Sequence, residues 1–587
     1  MTNTTMTLSL IDWLIIAFYI AISLFIGFYF SKRGSKNITE YFVAGRKVTW
    51  WLAGVSMVAT TFAADTPLVI SAIIRTKGLQ GNWYWWSGAI GAVMCVYFFA
   101  RLWRRSGIIT DAEFMELRYH GKTGSFLRGF YALFRSVLCN SVVLGWVILA
   151  MSKIIYVLLG WPKVMSVWIL VAISVLYILF SGLWGVLVTD FIQFILAMTG
   201  CIALAAIVIV KSGGFTLLIE KALQSCETVS ASGAASNLVE PSQLMTIFPS
   251  FETFNIAAIT FLAFVSLQWW QSAQGDGFLA QRLFSCKNEK HSFLAVLFYS
   301  FLHYAVRPWP WIIVGIGSLI FFPDLKDPEI AYPMMMMKFL PIGLKGFLVA
   351  GFLAAFMSTV STHINLGSSY LVNDVYKRFF VKNGSDKHYV IVSRIGVIAM
   401  AILAGISSFL MNSVYSAWLL GATLMAATAF IVILRWYWWR INAWSEISAL
   451  AAAIAIALFL FTSPTFSGDN YYAARLAIIM LGTTIVAIIT TLLTKPEPDA
   501  CLEKFYRKVK PSGWWGHIAD KCHDIEIIKV GAPEFINWIL TVLCIYSSLF
   551  AVTWLMMGKT TSGLISGLTC LALLAVILKR INQMRWD

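Results

Sequence analysis

Long apolar stretches recur along almost the whole chain and constrain its fold more than any other feature. We count about fifteen, each close to the ~20 residues that a helix needs to cross a bilayer. Only 12% of the residues are charged, about half of the ~25% that is typical of soluble domains. Because backbone polar groups in lipid must be satisfied within the segment itself, these stretches predict an all-α, polytopic membrane protein.

We number the predicted spans in chain order as spans 1 to 15. They cover residues 8–30, 48–72, 81–103, 127–156, 163–182, 185–210, 254–275, 292–322, 343–373, 389–410, 414–434, 443–462, 474–494, 535–557 and 561–578. With the N-terminus outside, about 30 of the 44 Lys and Arg residues fall in cytoplasmic loops. This positive-inside distribution predicts a multi-pass protein of the cell (inner) membrane with a cytoplasmic C-terminus. It also explains the net charge of +16 without nucleic acid.

Several function classes have no signature in the sequence. No GxxxxGK[ST] motif occurs, so ATP is not expected to be the direct energy source. The nine cysteines show neither CxxC nor metal-ligand spacing. We find no nucleophile–base constellation and no sign of an obligate protein partner, and the cytoplasmic segment 495–534 is too short for a catalytic domain. An enzyme is therefore not expected, and uphill transport would depend on an ion gradient.

Charged residues at membrane depth are costly, so each needs a partner or a task. The clearest candidates are Asp65, Asp190 and Arg307, followed by Arg135 and Arg394. Asp65 stands in the polar run 59–67 of span 2, ATTFAADTP, where Pro67 lacks a donor and Thr and Asp compete for backbone hydrogen bonds. The run predicts either a broken helix with freed carbonyls or a kinked, continuous helix with Asp65 paired to a basic side chain.

Span 9 carries a denser polar pattern. Ser358, Ser361, Thr362 and Asn365 are spaced i, i+3, i+4 and i+7, which places them on one helical face. Oxygen ligands on a rigid helix suit a hard cation such as sodium. The alternative is that these small polar residues pack membrane helices together.

The chain resembles a known family. Four stretches carry the likeness: Tyr41–Arg46 leading into span 2, Thr110–Phe114, Ser181–Trp184 running to Asp190 and Gln193, and Gln281-Arg282 followed by the Ser/Thr-rich span 9. In this order, over roughly residues 40–440, they resemble the sodium:solute symporter family of sodium/galactose, sodium/proline and sodium/sialic acid symporters.

The resemblance implies a leucine-transporter-like fold of two inverted five-helix repeats within a single transmembrane domain, residues 1–587. The first repeat would cover residues 48–210 and the second residues 254–434. Residues 8–30 would add an N-terminal helix. Residues 443–578 would add four C-terminal helices, with the cytoplasmic loop 495–534 between them. Alternating access around a site at the membrane midplane is implied as well.

The resemblance also implies ion sites. By position, the main sodium site falls on the carbonyls of Ala59, Phe62 and Ala355 and on the hydroxyls of Ser358 and Thr359. Some members bind a second sodium at positions that correspond here to Asp190, Ser361 and Thr362. The alternative for Asp190 is an ion pair on the cytoplasmic exit path.

For the solute, the resemblance points to a site between spans 2, 3, 7, 8 and 11. The candidate residues are Asp65, Thr66, Gln80, Asn82, Gln268, Trp269, Trp270, Gln271, His303 and Tyr304. Amides and aromatic rings of this kind slightly favour a sugar or polyol. The run Trp83-Tyr84-Trp85-Trp86 is interpreted as an aromatic belt at the outer membrane interface.

The predicted function is sodium-coupled symport of a small polar organic solute. Proton coupling through Asp65 or Asp190, or uncoupled transport, is the first alternative. A transporter-like membrane sensor is the second, and we expect it less because the sequence ends nine residues after span 15.

Overall fold

The computed structural model of the chain describes residues 8–34, 38–231, 238–251, 255–466, 468–528 and 530–586. Within these ranges the regular structure is helical, and the only β-type contacts are two isolated bridges, Val48–Cys286 and Trp438–Trp514. The predicted all-α class is confirmed. Residue 254, where the sequence places the start of the second repeat, lies outside the described ranges.

Among the described residues, twelve helical stretches are long and apolar enough to cross a bilayer. They are Leu10–Gly27, Leu79–Ser106, Gly121–Leu159, Leu183–Ser212, Glu289–Phe321, Leu344–Phe380, Asp386–Phe409, Val414–Tyr437, Ala443–Thr462, Tyr472–Leu493, Ala532–Met556 and Thr560–Asn582. The bent pair Trp50–Thr61 and Asp65–Lys77 makes up to 13, and Lys163–Ile178 and Ile256–Ser272 are shorter apolar helices. Every predicted span therefore coincides with an apolar helix, although not every one meets the length criterion.

Spans 5 and 6 share continuous helical hydrogen bonding from Lys163 to Ser212. Yet Tyr177 Oη and Thr189 Oγ1 lie 2.5 Å apart. In a straight helix, twelve residues would separate the two Cα atoms by about 18 Å. The chain must therefore turn back sharply between these residues, as two separate spans require.

The most enclosed helix is span 9, and the least enclosed is span 15. In the stretch Leu344–Phe380, 94% of the apolar window is buried, against 11% in Thr560–Asn582. Span 9 packs against spans 1, 4, 6 and 10. Span 9 is thus the central helix of the molecule, whereas span 15 lies at its periphery.

Wide turns with i→i+5 hydrogen bonding interrupt four spans. They are Cys95–Phe99, Phe134–Cys139, Phe301–Val306 and Tyr370–Phe380. Such turns inside helices often mark functional positions. Three of the four place side chains, among them Arg135, His303 and Tyr370, on the wall of the central cavity described below.

Short helices join the spans: Ile38–Val43, Phe114–Arg118, Phe215–Ala231, Ala331–Phe339, Asp499–Val509 and His517–Lys521. On the predicted cytoplasmic side, Glu116 accepts hydrogen bonds from Arg378 Nε (2.8 Å), Arg128 Nη1 (2.7 Å) and Ser125 Oγ (2.5 Å). Burial raises the pKa of Glu116, but these hydrogen bonds outweigh it and bring the pKa to about 2. The ionised carboxylate thus ties the ends of spans 4 and 9 together.

Candidate functional site

Span 2 is interrupted half way along its length. Its first helix, Trp50–Thr61, ends where Phe62 adopts φ −97° and ψ 77°, and its second helix begins at Asp65. The two helices meet at 57°. Pro67 lies in the first turn of the second helix, where its missing N–H breaks no helical hydrogen bond. The predicted broken helix is confirmed, and the continuous alternative is wrong.

Two features stabilise the side chain of Asp65: its position at a helix N-terminus and a hydrogen bond from one indole. It starts the second helix of span 2, where the helix dipole stabilises a negative charge. Its Oδ2 accepts a hydrogen bond of 2.8 Å from Trp418 Nε1 in span 11, and the residue is 4% exposed. Within the described ranges no basic side chain forms an ion pair with it. The charge of the carboxylate is therefore not neutralised by a salt bridge.

Arg307 of span 8 caps the first helix of span 2. Its Nη1 donates to Val58 O and Thr61 Oγ1, both at 2.9 Å, and its Nη2 donates to Thr61 O at 2.8 Å. The guanidinium is fully buried and lies within 5.5 Å of the ring centres of Phe62, Trp85 and Trp311. A cation at a helix C-terminus satisfies carbonyls that have no helical partner. Arg307 thus fixes one side of the break.

Span 9 provides the other side of the break. Thr359 Oγ1 donates to Thr60 O at 2.7 Å and to Ala355 O at 3.2 Å. The predicted sodium ligands are all buried, between 1% and 3% exposed. The fold therefore brings the hydroxyls of span 9 against the break in span 2, as a site built from Ala59, Phe62, Ala355, Ser358 and Thr359 requires. Neutral oxygens at such a break suit a hard cation such as sodium.

Asp190 belongs to a network that contains a fixed cation. Its Oδ1 accepts from Ser358 Oγ at 2.7 Å and its Oδ2 from Ser56 Oγ at 2.5 Å. Arg282 Nη2 lies 3.7 Å from Asp190 Oδ2 and donates to Thr362 Oγ1 at 2.6 Å. Both members of this ion pair are fully buried. The guanidinium thus lies between two of the three positions predicted for a second sodium.

Ser361, the third of those positions, is turned elsewhere. Its hydroxyl donates to the carbonyl of Ser358 on its own helix at 3.1 Å. The contacts therefore match the alternative assignment of Asp190, as one half of a buried ion pair.

A central cavity of about 280 Å³ lies beside the break. Six predicted solute residues line it: Asp65, Thr66, Gln268, Gln271, His303 and Tyr304. They come from spans 2, 7 and 8. Tyr84 and Trp85 of span 3 and Trp418 of span 11 complete the wall on that side. The cavity thus lies between the five spans to which the resemblance assigns the solute site, and its use by a solute stays a prediction.

Four predicted solute residues lie outside this cavity. Gln80 faces a separate outer cavity, and Asn82 donates to Leu79 O in its own turn. Trp269 and Trp270 stack on each other at 4.1 Å and pack against Trp538 of span 14 and Phe430 of span 11. The helix of span 7 turns these two rings away, and the fold brings none of the four residues to the central cavity.

The interpretation of Trp83–Trp86 as an interfacial belt is also wrong. Trp83 and Trp86 are 4% and 0% exposed, and Trp83 packs against Phe248, Phe261 and Tyr546. The outer loop and spans 7 and 14 cover these rings, so they do not reach the membrane interface.

Four roughly parallel rings form a column along one wall of the cavity. Tyr84 stacks on Trp418 at 5.8 Å, Trp418 on Trp85 at 5.7 Å, and Trp85 on His303 at 4.4 Å. His303 Nδ1 is 2.9 Å from Thr61 Oγ1, which connects the column to the break in span 2. Such a wall offers a flat apolar surface next to the Asp65 carboxylate, a combination that suits a ring bearing hydroxyl groups.

Span 7 is interrupted as well, and its interruption carries a charge. Between Gln268–Ser272 and Phe278–Ser285 the chain passes through Gly275 (φ +68°), Asp276 and Gly277 (φ +61°). Asp276 Oδ2 lies 3.0 Å from Arg135 Nη2 of span 4, with the side chains 21% and 14% exposed. This pair also lines the cavity.

Sequence reasoning missed Asp276, Trp418 and the cavity-facing role of Tyr84 and Trp85. Asp276 had a usable signal, because an acidic residue between two glycines inside an apolar span indicates a break. Trp418 had none, since a single Trp in an apolar helix usually packs.

Comparison with known proteins agrees with this geometry. The model of the sodium:solute symporter family matches residues 41–455. Among similar proteins, a sodium/mannose cotransporter from Bos taurus is 24% identical, with 86% of this chain and 89% of that protein covered. A sodium/glucose cotransporter from Vibrio parahaemolyticus is 25% identical, with coverage of 85% and 93%.

Among solved structures, a Na⁺-coupled sialic acid symporter superposes with a TM-score of 0.66. The alignment covers 84% of this chain and 99% of that chain, at 22% sequence identity. At this identity the likeness shows the fold, and it confirms the leucine-transporter-like class.

Proposed function

This chain belongs to the sodium:solute symporter family, and from that premise we propose that it couples sodium entry to uptake of a small neutral sugar or polyol. Members of the family are transporters, not enzymes, and use sodium as the coupling ion. We further propose alternating access in the cell (inner) membrane, with the N-terminus outside and the C-terminus in the cytoplasm.

One observation carries the coupling proposal: a hydroxyl of span 9, that of Thr359, lies against the break in span 2. Thr359 Oγ1 already reaches a span 2 carbonyl at 2.7 Å, and Ser358 lies one residue away on the same helix. A sodium ion here would bridge the two repeats. Its binding would thus bear directly on their relative orientation, which is what coupling requires.

Charge balance supports a neutral solute. The carboxylate of Asp276 is paired with Arg135, and Asp65 is next to a helix N-terminus, with Arg307 buried across the break. An anionic solute would meet no unpaired cation on the described wall, and the charge of Asp65 is already stabilised by the helix N-terminus and by Trp418 Nε1. Ring stacking on Trp85, together with oxygens and amides from Asp65 and Gln271, suits hydroxyl groups. The similar proteins named for mannose and glucose agree with this class.

The experiment is a thermal melt of the purified protein in sodium chloride and in potassium chloride at equal ionic strength. An ion present at ten times its dissociation constant adds roughly 1.4 kcal/mol to stability. We expect a sodium-specific increase in Tm that is lost in Ser358→Ala/Thr359→Ala. Ser369→Ala is the matched control, because within the described ranges its buried hydroxyl bonds only to Leu366 O of the same helix.

Solute identity is tested on the same preparation. Sodium-gradient uptake into proteoliposomes is measured for mannose, glucose and myo-inositol. Equal melts in the two salts, with a pH-dependent shift lost in Asp65→Asn or Asp190→Asn, would replace sodium by proton coupling.

A further inference from the structure

Two cavities adjoin each other, and a partition of contacting side chains separates them. The outer cavity, about 300 Å³, is lined by Lys77, Gln80, Gln243, Tyr415 and Tyr472, among others. The central cavity begins on the far side of Tyr84, Gln268 and Trp418. Lys77 and Tyr415 face the predicted outside, so the partition separates the central cavity from the outer solution.

Among the described residues, one hydrogen bond joins a side chain of the outer cavity to a side chain of the central cavity. Tyr472, whose ring lines the outer cavity, donates its hydroxyl to Gln268 Oε1 at 2.7 Å. Gln268, which lines the central cavity, in turn donates from Nε2 to Tyr84 O at 2.7 Å. Both Tyr472 and Gln268 are 1% exposed. The amide of Gln268 thus connects span 3 to span 13 through two hydrogen bonds.

Aromatic rings fill the rest of the partition. Phe264 of span 7 contacts both Tyr472 and Tyr84, each at 5.8 Å between ring centres. Tyr84 also stacks on Trp418, which holds Asp65. Movement of Gln268 would therefore loosen a wall that reaches as far as the break in span 2.

Tyr472 does not come from the part of the chain that matches the family. That match ends at residue 455, whereas Tyr472 begins the helix Tyr472–Leu493. We propose that this added helix supplies a positioning residue, Tyr472, that holds Gln268 across the path and keeps the central cavity closed to the outside. The inference rests on the proposed transport function, since only a transporter needs such a barrier.

The strength of the contact suits a barrier that opens in each cycle. A neutral hydrogen bond shifts an equilibrium by only a few-fold to about tenfold. Removing the Tyr472 hydroxyl should therefore change how often the partition is open without unfolding the protein.

The chain contains its own reporter of opening. Cys139 of span 4 lines the central cavity and is a free thiol. With the other eight of the nine cysteines replaced by alanine, its reaction with a membrane-impermeant cationic methanethiosulfonate measures access from one face. The reagent is applied to intact cells and, separately, to inside-out vesicles.

We expect Tyr472→Phe to accelerate labelling of Cys139 from the outer face about three- to tenfold, with no change from the cytoplasmic face. Tyr546→Phe is the matched control. Its hydroxyl also links an added helix to span 3, through Trp86 O at 3.1 Å, but it lines neither cavity. Gln268→Met, which removes both hydrogen bonds at once, should accelerate labelling at least as much.

Unchanged labelling in Tyr472→Phe and Gln268→Met would overturn the inference. So would equal acceleration in Tyr546→Phe, or acceleration from the cytoplasmic face alone. The measurement uses neither sodium nor a solute. Loss of the sodium-specific melt would therefore count against coupling and leave this test intact.

Discussion

Spans 2 and 7 are both broken beside the central cavity, but different chemistry makes the two breaks. In span 2 the free carbonyls are bound by Arg307 and Thr359, and no glycine is present between Thr61 and Asp65. In span 7 two glycines with positive φ flank Asp276, whose partner Arg135 lies at the cavity surface.

The difference separates a fixed break from a movable one. Interactions with fully buried groups hold the first break, so any rearrangement there leaves polar groups without partners. The second break depends on backbone torsions that only glycine adopts easily, and on an ion pair that water in the cavity can reach. We expect the first break to be an ion site with little internal motion and the second to change shape during transport.

The largest effect is expected when the cap of span 2 is removed. Arg307→Gln takes three charge-assisted hydrogen bonds from a buried helix end, which should lower stability by on the order of 3 kcal/mol. Thermal melting in detergent measures the loss, and Arg307→Lys should recover part of it because the charge remains. A melt of Arg307→Gln equal to that of the natural protein would mean that the cap is not needed.

A smaller effect is expected at the second break. Asp276→Asn weakens a pair that is 21% and 14% exposed, whereas Glu446→Gln weakens the pair with Arg435, which is 3% and 0% exposed. Breaking a buried ion pair costs more than breaking a hydrated one. Glu446→Gln should therefore lower the Tm more than Asp276→Asn does. The reverse order would show that water in the cavity does not weaken the pair at the second break.

Glycine torsions give a third measure of the difference. Gly277→Ala forces a side chain into φ +61° and places its Cβ 2.9 Å from Arg135 Nη2. Gly160→Ala is the matched control, since Gly160 has φ +68° and nothing within 4 Å of the added Cβ. Each should lose about 1 kcal/mol from the torsion alone. Any excess in Gly277→Ala reports the contact with Arg135.

The smallest effect concerns the number of sodium ions that bind per transport cycle. Arg282 already bridges Asp190 and Thr362, so we expect one sodium ion per cycle and a Hill coefficient near one for sodium-driven uptake. Ser361→Ala should leave the sodium-dependent melt unchanged. A Hill coefficient approaching two, reduced to one by Ser361→Ala, would restore the second sodium site.

Much of the fold could be predicted from local chemistry. The apolar stretches located the helices, and Pro67 beside Thr and Asp residues indicated the break in span 2. The polar face of span 9 was readable because residues three and four apart share a helix face. Thr359, whose hydroxyl reaches the break, is not part of that spacing.

The solute site was only half predictable. Gln80 and Gln268 look alike in sequence, yet one lines the outer cavity and the other the central one. Which face of a helix meets a cavity depends on distant helices, as Trp418 and Tyr472 show by their contacts with spans 2 and 7. The sequence indicated that the charge of Arg307 at membrane depth is energetically costly and needs a partner. It could not indicate the partners, because the carbonyls of span 2 have no sequence signature.

The guanidinium that caps span 2 also has a kinetic consequence. Arg307 binds the carbonyls of Val58 and Thr61, while the proposed sodium ligands are those of the next residues along the chain, Ala59 and Phe62. Two cations would therefore share one helix end, and their repulsion grows where water is excluded. Such a neighbour shortens the dwell time of sodium, so that the ion leaves quickly once the cytoplasmic side opens and the carrier can turn over.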